Sequence, residues 1–258
     1  MSFLGIDGLT AIRDSTVAIV GCGGGGSHIA EQLARLSVGR IYLVDHDRLD
    51  RSNLSRVIGS SAEDVGEPKT EIIARRLSWT RTDLVPISSR VQSPEAIAAL
   101  QASDYVFGSV DRFRARDDIE RVCRQALVTL IDIGLGIRVE RNVVVSAAGQ
   151  VVLSIPGEPC MRCMEVVNET NLARDKEEYV EGGAPDQQVI SMNGLLASEA
   201  VNLFLALATG YSIGLPLPRY LVYNALRHEL APHPFFGTDS AICPHYPLED
   251  AGDRVGVA

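Results

Sequence analysis

The sequence predicts an α/β protein in which a Rossmann-like parallel sheet with helices on both faces continues into an antiparallel β region. Three observations support this fold class. Short apolar runs alternate with amphipathic helical patterns through the first half of the 258-residue chain, which is typical of parallel strands joined by helices. A glycine-rich turn at residues 21–26 follows the first apolar run. Near residue 138 the alternation changes to closely spaced β-type runs.

Residues 1–137 are predicted to form a nucleotide-binding half of one domain. A lead-in helix over residues 1–16 precedes the first strand. Each strand is a short apolar run bounded by polar or turn residues, and the helices show apolar residues at helical spacing. The predicted strands are residues 17–20, 41–44, 84–88, 105–108 and 128–133, and the helices follow Ser27, Pro68, Pro94 and Asp111.

Residues 138–258 are predicted to complete the same single domain, 1–258, with an antiparallel region. The β-type runs 143–147 and 151–155 predict a hairpin that turns at residues 148–150. Residues 156–188 are polar and interrupted by glycine and proline, which predicts an extended connection. An apolar helix is predicted over residues 193–209, ended by Gly210, with β-type runs after it at 220–224 and 226–230.

Composition narrows the classes of function. The net charge of −9 argues against a nucleic-acid partner, because such surfaces are basic. We find no amino-terminal signal segment and no apolar run of membrane-spanning length, so no membrane partner is expected. Five cysteines, two of them in a Cys160-x-x-Cys163 pair, fit a reduced cytoplasm with a metal site better than a disulfide framework. A cytoplasmic protein is therefore expected.

The glycine turn predicts a phosphate-binding site. Glycines lack a Cβ atom, so the backbone can turn tightly and approach a ligand closely. Ser27 is predicted to cap the helix that follows, and the free N–H groups at a helix start bind anions. Asp45 comes nineteen residues after the turn, where a carboxylate can accept a hydrogen bond from a ribose hydroxyl. The candidate glycines are Gly21, Gly23, Gly24 and Gly26.

Further polar residues follow the predicted strands and are expected to converge on the same crevice. In a doubly wound sheet the carboxyl ends of the strands line one crevice. Asn53, Arg56 and Lys69 come after the second strand, and Asp111 comes just after the fourth. Two cations can stabilise charge that develops on a triphosphate, and a carboxylate can hold Mg²⁺. Hydride transfer needs no such pair of cations, so the set favours nucleotidyl transfer.

In combination these motifs resemble the ubiquitin-activating-enzyme-like adenylyltransferases, the ThiF/MoeB/HesA family. The resemblance covers residues ~15 to ~245. It is carried by residues 21–26, Leu43-Val-Asp-His-Asp47, Ser52-Asn-Leu-Ser-Arg56, Asp64-Val-Gly-Glu-Pro-Lys69, Val110-Asp111, Pro159-Cys-Met-Arg-Cys163 and Asn193-Gly-Leu-Leu-Ala-Ser-Glu199.

The resemblance implies an ATP-dependent enzyme that adenylates a C-terminal carboxylate and releases pyrophosphate. The implied partner is a ubiquitin-like or sulfur-carrier protein with a Gly-Gly tail, and the implied assembly is a homodimer. By motif match Asp111 is the Mg²⁺-linked catalytic residue, while Arg56 and Lys69 serve both catalysis and phosphate binding. The other implied nucleotide contacts are the four glycines, Asp45 at the ribose, Asp47 and Asn53.

The chain departs from the family pattern in the connection that crosses the active site. Many relatives form a thioester on a cysteine there, whereas residues 164–190 contain no cysteine. We therefore expect adenylation without a thioester on that connection. Cys22, in the glycine turn, and Cys123, on a predicted buried helix stripe, are expected to be packing residues rather than nucleophiles.

The resemblance also implies a structural zinc site, with one altered ligand. Cys160, Cys163 and Cys243 are present, but Tyr246 stands where a fourth thiolate is expected. His245 can replace that thiolate, because zinc accepts three sulfurs and one imidazole in a tetrahedron. The alternative is a group of free thiols at the end of an apolar strand.

Other interpretations remain open at this stage. The acceptor could be a small peptide, the chain could be a non-catalytic scaffold for a ubiquitin-like partner, or the cleft could serve an NAD-dependent oxidoreductase. Retention of the whole polar set argues against the scaffold, and an oxidoreductase would leave the amide and both cations unexplained. Relatives supply an arginine from before the first strand, for which Arg13 is a candidate. Arg112, Arg114 and Arg116 are predicted to form a solvated helix start, from which Arg116 could approach the nucleotide.

Overall fold

The structure is a computed structural model that describes residues 2–181, 188–211, 216–234, 243–246 and 252. Its strands are β1 (Thr16–Val20), β2 (Arg40–Val44), β3 (Asp83–Ile87), β4 (Tyr105–Gly108), β5 (Thr129–Glu140), β6 (Val143–Ser154), β7 (Tyr220–Asn224) and β8 (Glu229–Pro232). Its α-helices are α1 (Gly5–Asp14), α2 (Gly24–Arg35), α3 (Lys69–Leu77), α4 (Pro94–Gln101), α5 (Phe113–Gln125), α6 (Glu169–Glu181) and α7 (Ile190–Thr209).

One eight-stranded sheet joins all of these strands in the order β3-β2-β1-β4-β5-β6-β7-β8. Strands β1 to β5 are parallel to one another, and β6, β7 and β8 pair antiparallel with their neighbours. The chain runs outward from β1 to β3 and then returns to place β4 on the other side of β1. The predicted fold class is confirmed, and the strand order reverses between β1 and β4, where ligands bind in such sheets.

Two apolar layers cover the two faces of the sheet. On one face α2 and α7 pack together over the central strands, and the buried Phe204 contacts the rings of Tyr105 and Phe107. On the other face α4 and α5 pack over the same strands together with Met161 and Met164. Both faces are apolar because parallel strands are buried on both sides.

Helix α7 corrects the expectation that the sequence holds no apolar run of membrane-spanning length. It has 20 residues, and its mean hydropathy reaches 1.4, so by length and composition it could cross a membrane. In the fold 44% of that apolar window is buried, and the helix packs against α2, β5 and β6. The buried part of its apolar surface therefore packs on the core of this fold.

The hairpin predicted within residues 143–155 is wrong. These residues form one continuous strand, β6, and the chain turns earlier, at Arg141 and Asn142, whose φ angles are 48° and 63°. Two successive positive φ angles are what a tight hairpin turn of matching twist requires. Gly149 lies within this strand. The residue is a glycine because α7 passes close by: a Cβ atom there would lie 2.5 Å from a methyl carbon of Leu196.

Three smaller predictions also need correction. The connection over residues 156–188 contains helix α6, although residues 182–187, with the Gly-Gly pair and Pro185, lie outside the described residues. The last strand is β8, slightly later than predicted. Helix α2 begins at Gly24 with Gly23 as its N-cap, so Ser27 is not the cap. Its hydroxyl instead donates to the Gly24 carbonyl at 3.1 Å and accepts the Ile58 N–H at 3.0 Å.

Candidate active site

The glycine turn joins β1 to α2 at the carboxyl edge of the sheet, as predicted. Gly21 has φ +92°, and a Cβ atom on it would lie 2.2 Å from the Ser109 carbonyl oxygen that follows β4. A Cβ atom on Gly26 would lie 1.8 Å from the Gly21 carbonyl oxygen. Nothing lies within 4 Å of the corresponding position on Gly23. The turn is thus packed tightly from behind and open at Gly23, next to the first N–H groups of α2, where an anion binds favourably.

Asp45 follows β2 and lies directly beside the turn. Its carboxylate accepts the Cys22 N–H at 2.7 Å and the Asp47 N–H at 2.8 Å. Burial raises the pKa of Asp45, and the charge of Lys69 and the two N–H groups only partly offset this effect. Each carboxylate oxygen keeps capacity for another hydrogen bond, so Asp45 can receive a ribose hydroxyl where the sequence predicts it.

Lys69 lies at the same edge, where hydrogen bonds join the start of α3 to the segment that follows β2. Its backbone N–H donates to the Asp47 carbonyl at 3.1 Å, and its ammonium donates to the Asp47 carboxylate at 2.8 Å. The Lys69 side chain is 10% exposed and that of Asp47 is 51% exposed. Partial burial raises the pKa of Asp47, but the hydrogen bond and charge of Lys69 outweigh it and hold that pKa below its usual range. A nearly buried cation therefore lies beside Asp45.

Asn53 and Arg56 lie on a loop anchored to α2. Asn53 accepts the Asp50 N–H at 3.3 Å and belongs to a short 3₁₀ turn, and the Arg56 guanidinium donates to the Ser52 carbonyl at 2.9 Å. The bond from the Ile58 N–H to Ser27 ties the loop to the first turns of α2. The loop therefore lies next to the start of α2, while the contacts of Asn53 and Arg56 with a nucleotide stay predictions.

Asp111 lies just beyond β4, on the other side of the switch point. Where the chain leaves β4, the Ser109 N–H donates to the Val20 carbonyl at 2.8 Å. Asp111 is exposed, and no hydrogen bond or ion pair joins its side chain to any other residue within the described ranges. Its carboxylate is exposed to solvent at the edge that carries the glycine turn, and its binding of Mg²⁺ stays a prediction.

The prediction that Arg116 belongs to a solvated helix start is wrong. Arg112 and Arg114 are exposed, but Arg116 is buried. Its guanidinium forms an ion pair with Asp132 on β5, and it also donates to the Val110 carbonyl at 2.8 Å. Burial raises the pKa of Asp132 to about 7, with Arg116 opposing the shift. The sequence signal was present: Asp132 is a single carboxylate inside an apolar strand, and such groups are rarely buried unpaired.

Arg13 does not join the crevice of its own chain. It lies in the last turn of α1, which leads into the amino end of β1, whereas the glycine turn follows the carboxyl end. Five residues of extended strand separate the two ends by roughly 16 Å. Arg13 of the same chain therefore does not supply the arginine that the family resemblance implies at this crevice.

The first turn of α7 and Gln188 just before it also contact the glycine turn, a contact that was not predicted from the sequence. Asn193 is buried, and its amide nitrogen donates to the Gln188 side chain at 3.3 Å. A Cβ atom on Gly24 would lie 2.3 Å from that amide nitrogen. The glycine is therefore needed for the approach of Asn193. The available signal was the Asn193-Gly194 pair, which is unusual inside an apolar helix.

Comparison with known proteins decides the family. A family model described as "ThiF family" matches residues 1–244. The chain belongs to the ThiF family.

Several named relatives of this ThiF-family chain are adenylyltransferases or activating enzymes. It is 31% identical over 201 residues to the molybdopterin-synthase adenylyltransferase of Escherichia coli, covering 76% of each chain. It is 29% identical over 213 residues to the sulfur carrier protein ThiS adenylyltransferase of E. coli, covering 80% of this chain and 78% of the relative. It is 31% identical over 166 residues to the SAMP-activating enzyme E1 of Haloferax volcanii, covering 64% of this chain and 58% of that enzyme. The predictions of the family and of an adenylyltransferase-type enzyme are confirmed.

A solved structure shows the same fold. The E. coli MccB structure with ATP aligns with a TM-score of 0.73 at 21% identity, covering 93% of this chain and 68% of MccB. At this level of identity the likeness concerns the fold alone. The alignment over 93% of this chain supports the predicted fold class.

Away from the crevice, four predicted zinc ligands come together. The Sγ atoms of Cys160 and Cys163 are 3.6 Å apart, and those of Cys163 and Cys243 are 3.7 Å apart. The Nδ1 atom of His245 lies 3.4 Å from the Sγ atoms of Cys160 and Cys163. A tetrahedral zinc with ligands at ordinary bond lengths needs sulfurs about 3.8 Å apart. The Cys₃His cluster therefore fits zinc.

Helix α5 contacts the segment that carries Cys160 and Cys163 through three buried or half-buried interactions. Asp117 pairs with Arg162 at 2.7 Å. Glu120 accepts the Met161 N–H at 2.9 Å, and Arg124 donates to the Pro159 carbonyl at 2.9 Å. The segment that carries the first two cysteines is thus fastened to the helix that begins beside Asp111, a link that the sequence analysis did not predict.

Proposed function

We propose that this chain uses ATP to adenylate the C-terminal carboxylate of a ubiquitin-like or sulfur-carrier protein and releases pyrophosphate. The observation that carries the proposal is the convergence at the β1/β4 switch point, where the open glycine turn, Asp45, Lys69 with Asp47, and Asp111 lie at one edge of the sheet. Membership in the ThiF family and the names of the relatives support the same conclusion.

Each group has a role that its position suits. The N–H groups at the start of α2 bind phosphate oxygens, and Asp45 accepts a ribose hydroxyl. Lys69 stabilises negative charge as the partner's carboxylate attacks the α-phosphorus and pyrophosphate leaves; catalysis of this kind consists of positioning and charge stabilisation. Asp111 would hold the Mg²⁺ that accompanies ATP, and this ion supplies further neutralisation of phosphate charge.

We propose that no thioester forms on the connection between residues 164 and 190. All five cysteines are described, and none is a free exposed thiol: Cys22 and Cys123 are buried, and the other three belong to the Cys₃His cluster. Burial raises the pKa of both Cys22 and Cys123, which suppresses the reactive thiolate. Intact-mass spectrometry after incubation with ATP and a Gly-Gly-ended partner should show no covalent conjugate.

The Cys₃His cluster is proposed as a structural zinc site. Its four ligands complete a closed coordination shell, which is typical of structural rather than catalytic zinc. The cluster's attachment to α5 supports a role in stability. A cytoplasmic location and a homodimer are likewise proposed, and light scattering of the purified protein tests the homodimer.

The central test is exchange of labelled pyrophosphate into ATP. The wild-type protein should catalyse exchange when a Gly-Gly-ended ubiquitin-like protein is present, and Asp111→Asn should abolish it. Asp83→Asn is the matched control, because Asp83 is an exposed carboxylate paired with Arg40 at the amino end of β3, far from the crevice. Exchange with a short peptide but with no Gly-Gly-ended protein would favour the peptide alternative. Full exchange by Asp111→Asn would refute the proposed role of Asp111.

A further inference from the structure

The pair of Arg116 and Asp132 is buried directly behind the segment that carries Asp111. The side chains of Arg116 and Asp132 are 6% and 0% exposed. Room for them is made by two glycines on adjacent strands. A Cβ atom on Gly108 of β4 would lie 2.3 Å from Asp132 Oδ1, and one on Gly134 of β5 would lie 2.7 Å from an Arg116 nitrogen. The fold thus leaves space for this pair behind the segment that carries Asp111.

A buried ion pair is a weak source of stability, because the loss of hydration offsets most of the attraction. Asp132 Oδ1 and Arg116 Nε have no hydrogen-bond partner among the described residues, which makes this pair less favourable still. In other proteins, replacing a buried ion pair by apolar residues of similar volume is often neutral or stabilising. The pair therefore calls for an explanation other than stability.

The remaining contact of Arg116 supplies that explanation. Its second terminal nitrogen donates to the Val110 carbonyl at 2.8 Å, and this carbonyl belongs to the peptide bond that leads into Asp111. One guanidinium therefore joins β5, through Asp132, to the backbone immediately before the Asp111 carboxylate. Helix α5 holds Arg116 itself in place, since Arg116 lies in its first turns.

We propose that Arg116, oriented by Asp132, is a positioning residue that fixes the peptide before Asp111 and so sets where its carboxylate meets the magnesium-bound nucleotide. This proposal rests on the proposed function of Asp111. Because the side chain of Asp111 is exposed and has no partner within the described residues, its position depends on its backbone. A displacement of about 1 Å at a reacting group can reduce a rate by roughly a hundredfold.

The test measures how much Mg²⁺ tightens binding of the non-hydrolysable analogue α,β-methylene-ATP, by calorimetry with and without the ion. For the wild-type protein we expect tightening of about tenfold or more, within the usual range for coupled ligands. Asp111→Asn should remove it. The double variant Arg116→Met with Asp132→Asn should remove most of it while leaving affinity without Mg²⁺ unchanged, because the phosphate and ribose contacts do not depend on the pair.

The double variant leaves no charge unpaired, so it should fold even where Arg116→Met alone does not. The matched control removes another buried pair from the same helix, Arg124→Met with Glu120→Gln. This control should lower the melting temperature and keep the Mg²⁺ effect. If Asp111→Asn loses the effect and the Arg116/Asp132 variant keeps it, the positioning role is refuted and the proposed function stands. If Asp111→Asn itself keeps the effect, both the role of Asp111 and that of Arg116 are refuted.

Discussion

Replacement of Lys69 by methionine separates the catalytic role of this cation from its contribution to stability. Methionine keeps most of the side-chain length and apolar stem but removes the charge. The ion pair with Asp47 is half exposed, with Asp47 51% exposed, so its loss should cost only about 0–1 kcal/mol of unfolding free energy. For a domain of this size that lowers the melting temperature by no more than about 2–4 °C.

The effect of Lys69→Met on the reaction should be much larger. A preorganised group that stabilises developing charge contributes about 2.7–4 kcal/mol to the transition state, so pyrophosphate exchange should fall by about 10²- to 10³-fold. The pKa of Asp47 should also rise, because the hydrogen bond and charge of Lys69 are the largest of the effects that lower it; carbon-detected NMR measures this titration directly.

Arg48→Met is the matched control for Lys69. Arg48 is an exposed cation on the same pair of segments, and its side chain bonds only the Gly66 carbonyl, at 2.8 Å, among the described residues. Exchange by this variant should stay close to that of the wild-type protein. If Lys69→Met also retained exchange within a few-fold, or if Arg48→Met lost as much, the assignment of Lys69 to charge stabilisation would be refuted.

Three further predictions concern the rest of the fold. Cys243→Ser should lower the zinc content per chain, measured by atomic emission, and lower the melting temperature; equal zinc content would rule out its role as a ligand. Gly26→Ala should destabilise the fold by about 1–3 kcal/mol and weaken ATP binding, because the added Cβ atom would lie 1.8 Å from the Gly21 carbonyl oxygen. Gly136→Ala is the control: its Cβ atom would have no neighbour within 4 Å, so stability and ATP binding should stay unchanged. Hydrogen bonds from Ser61, followed by nearby arginine charge, lower the pKa of Asp64 to about 2. Its contribution to stability is therefore present above about pH 4 and lost as pH falls toward 2; denaturant titrations of Asp64→Asn should show a flatter loss over that interval.

The nucleotide-binding half could be predicted closely because its signals are local. Each parallel strand is buried on both faces, so it appears as an apolar run, and the predicted strand at 105–108 coincides with β4. The turn at residues 21–26 is marked by glycine itself, since Gly21 has a positive φ and close backbone neighbours. The antiparallel half was predicted less well. Gly149 looked like a turn residue, but it is a glycine because Leu196 packs against it, and that contact joins segments far apart in the chain.

Sequence alone therefore determined the fold class, the family resemblance and the identity of the polar residues, because residue type and short spacing encode strands, turns and motifs. Tertiary structure decided which of those residues meet. It paired Lys69 with Asp47, placed Arg13 at the end of β1 opposite the glycine turn, and buried Arg116 against Asp132 behind the Asp111 segment. Such contacts arise where distant segments pack across a sheet, and no local pattern in the chain records them.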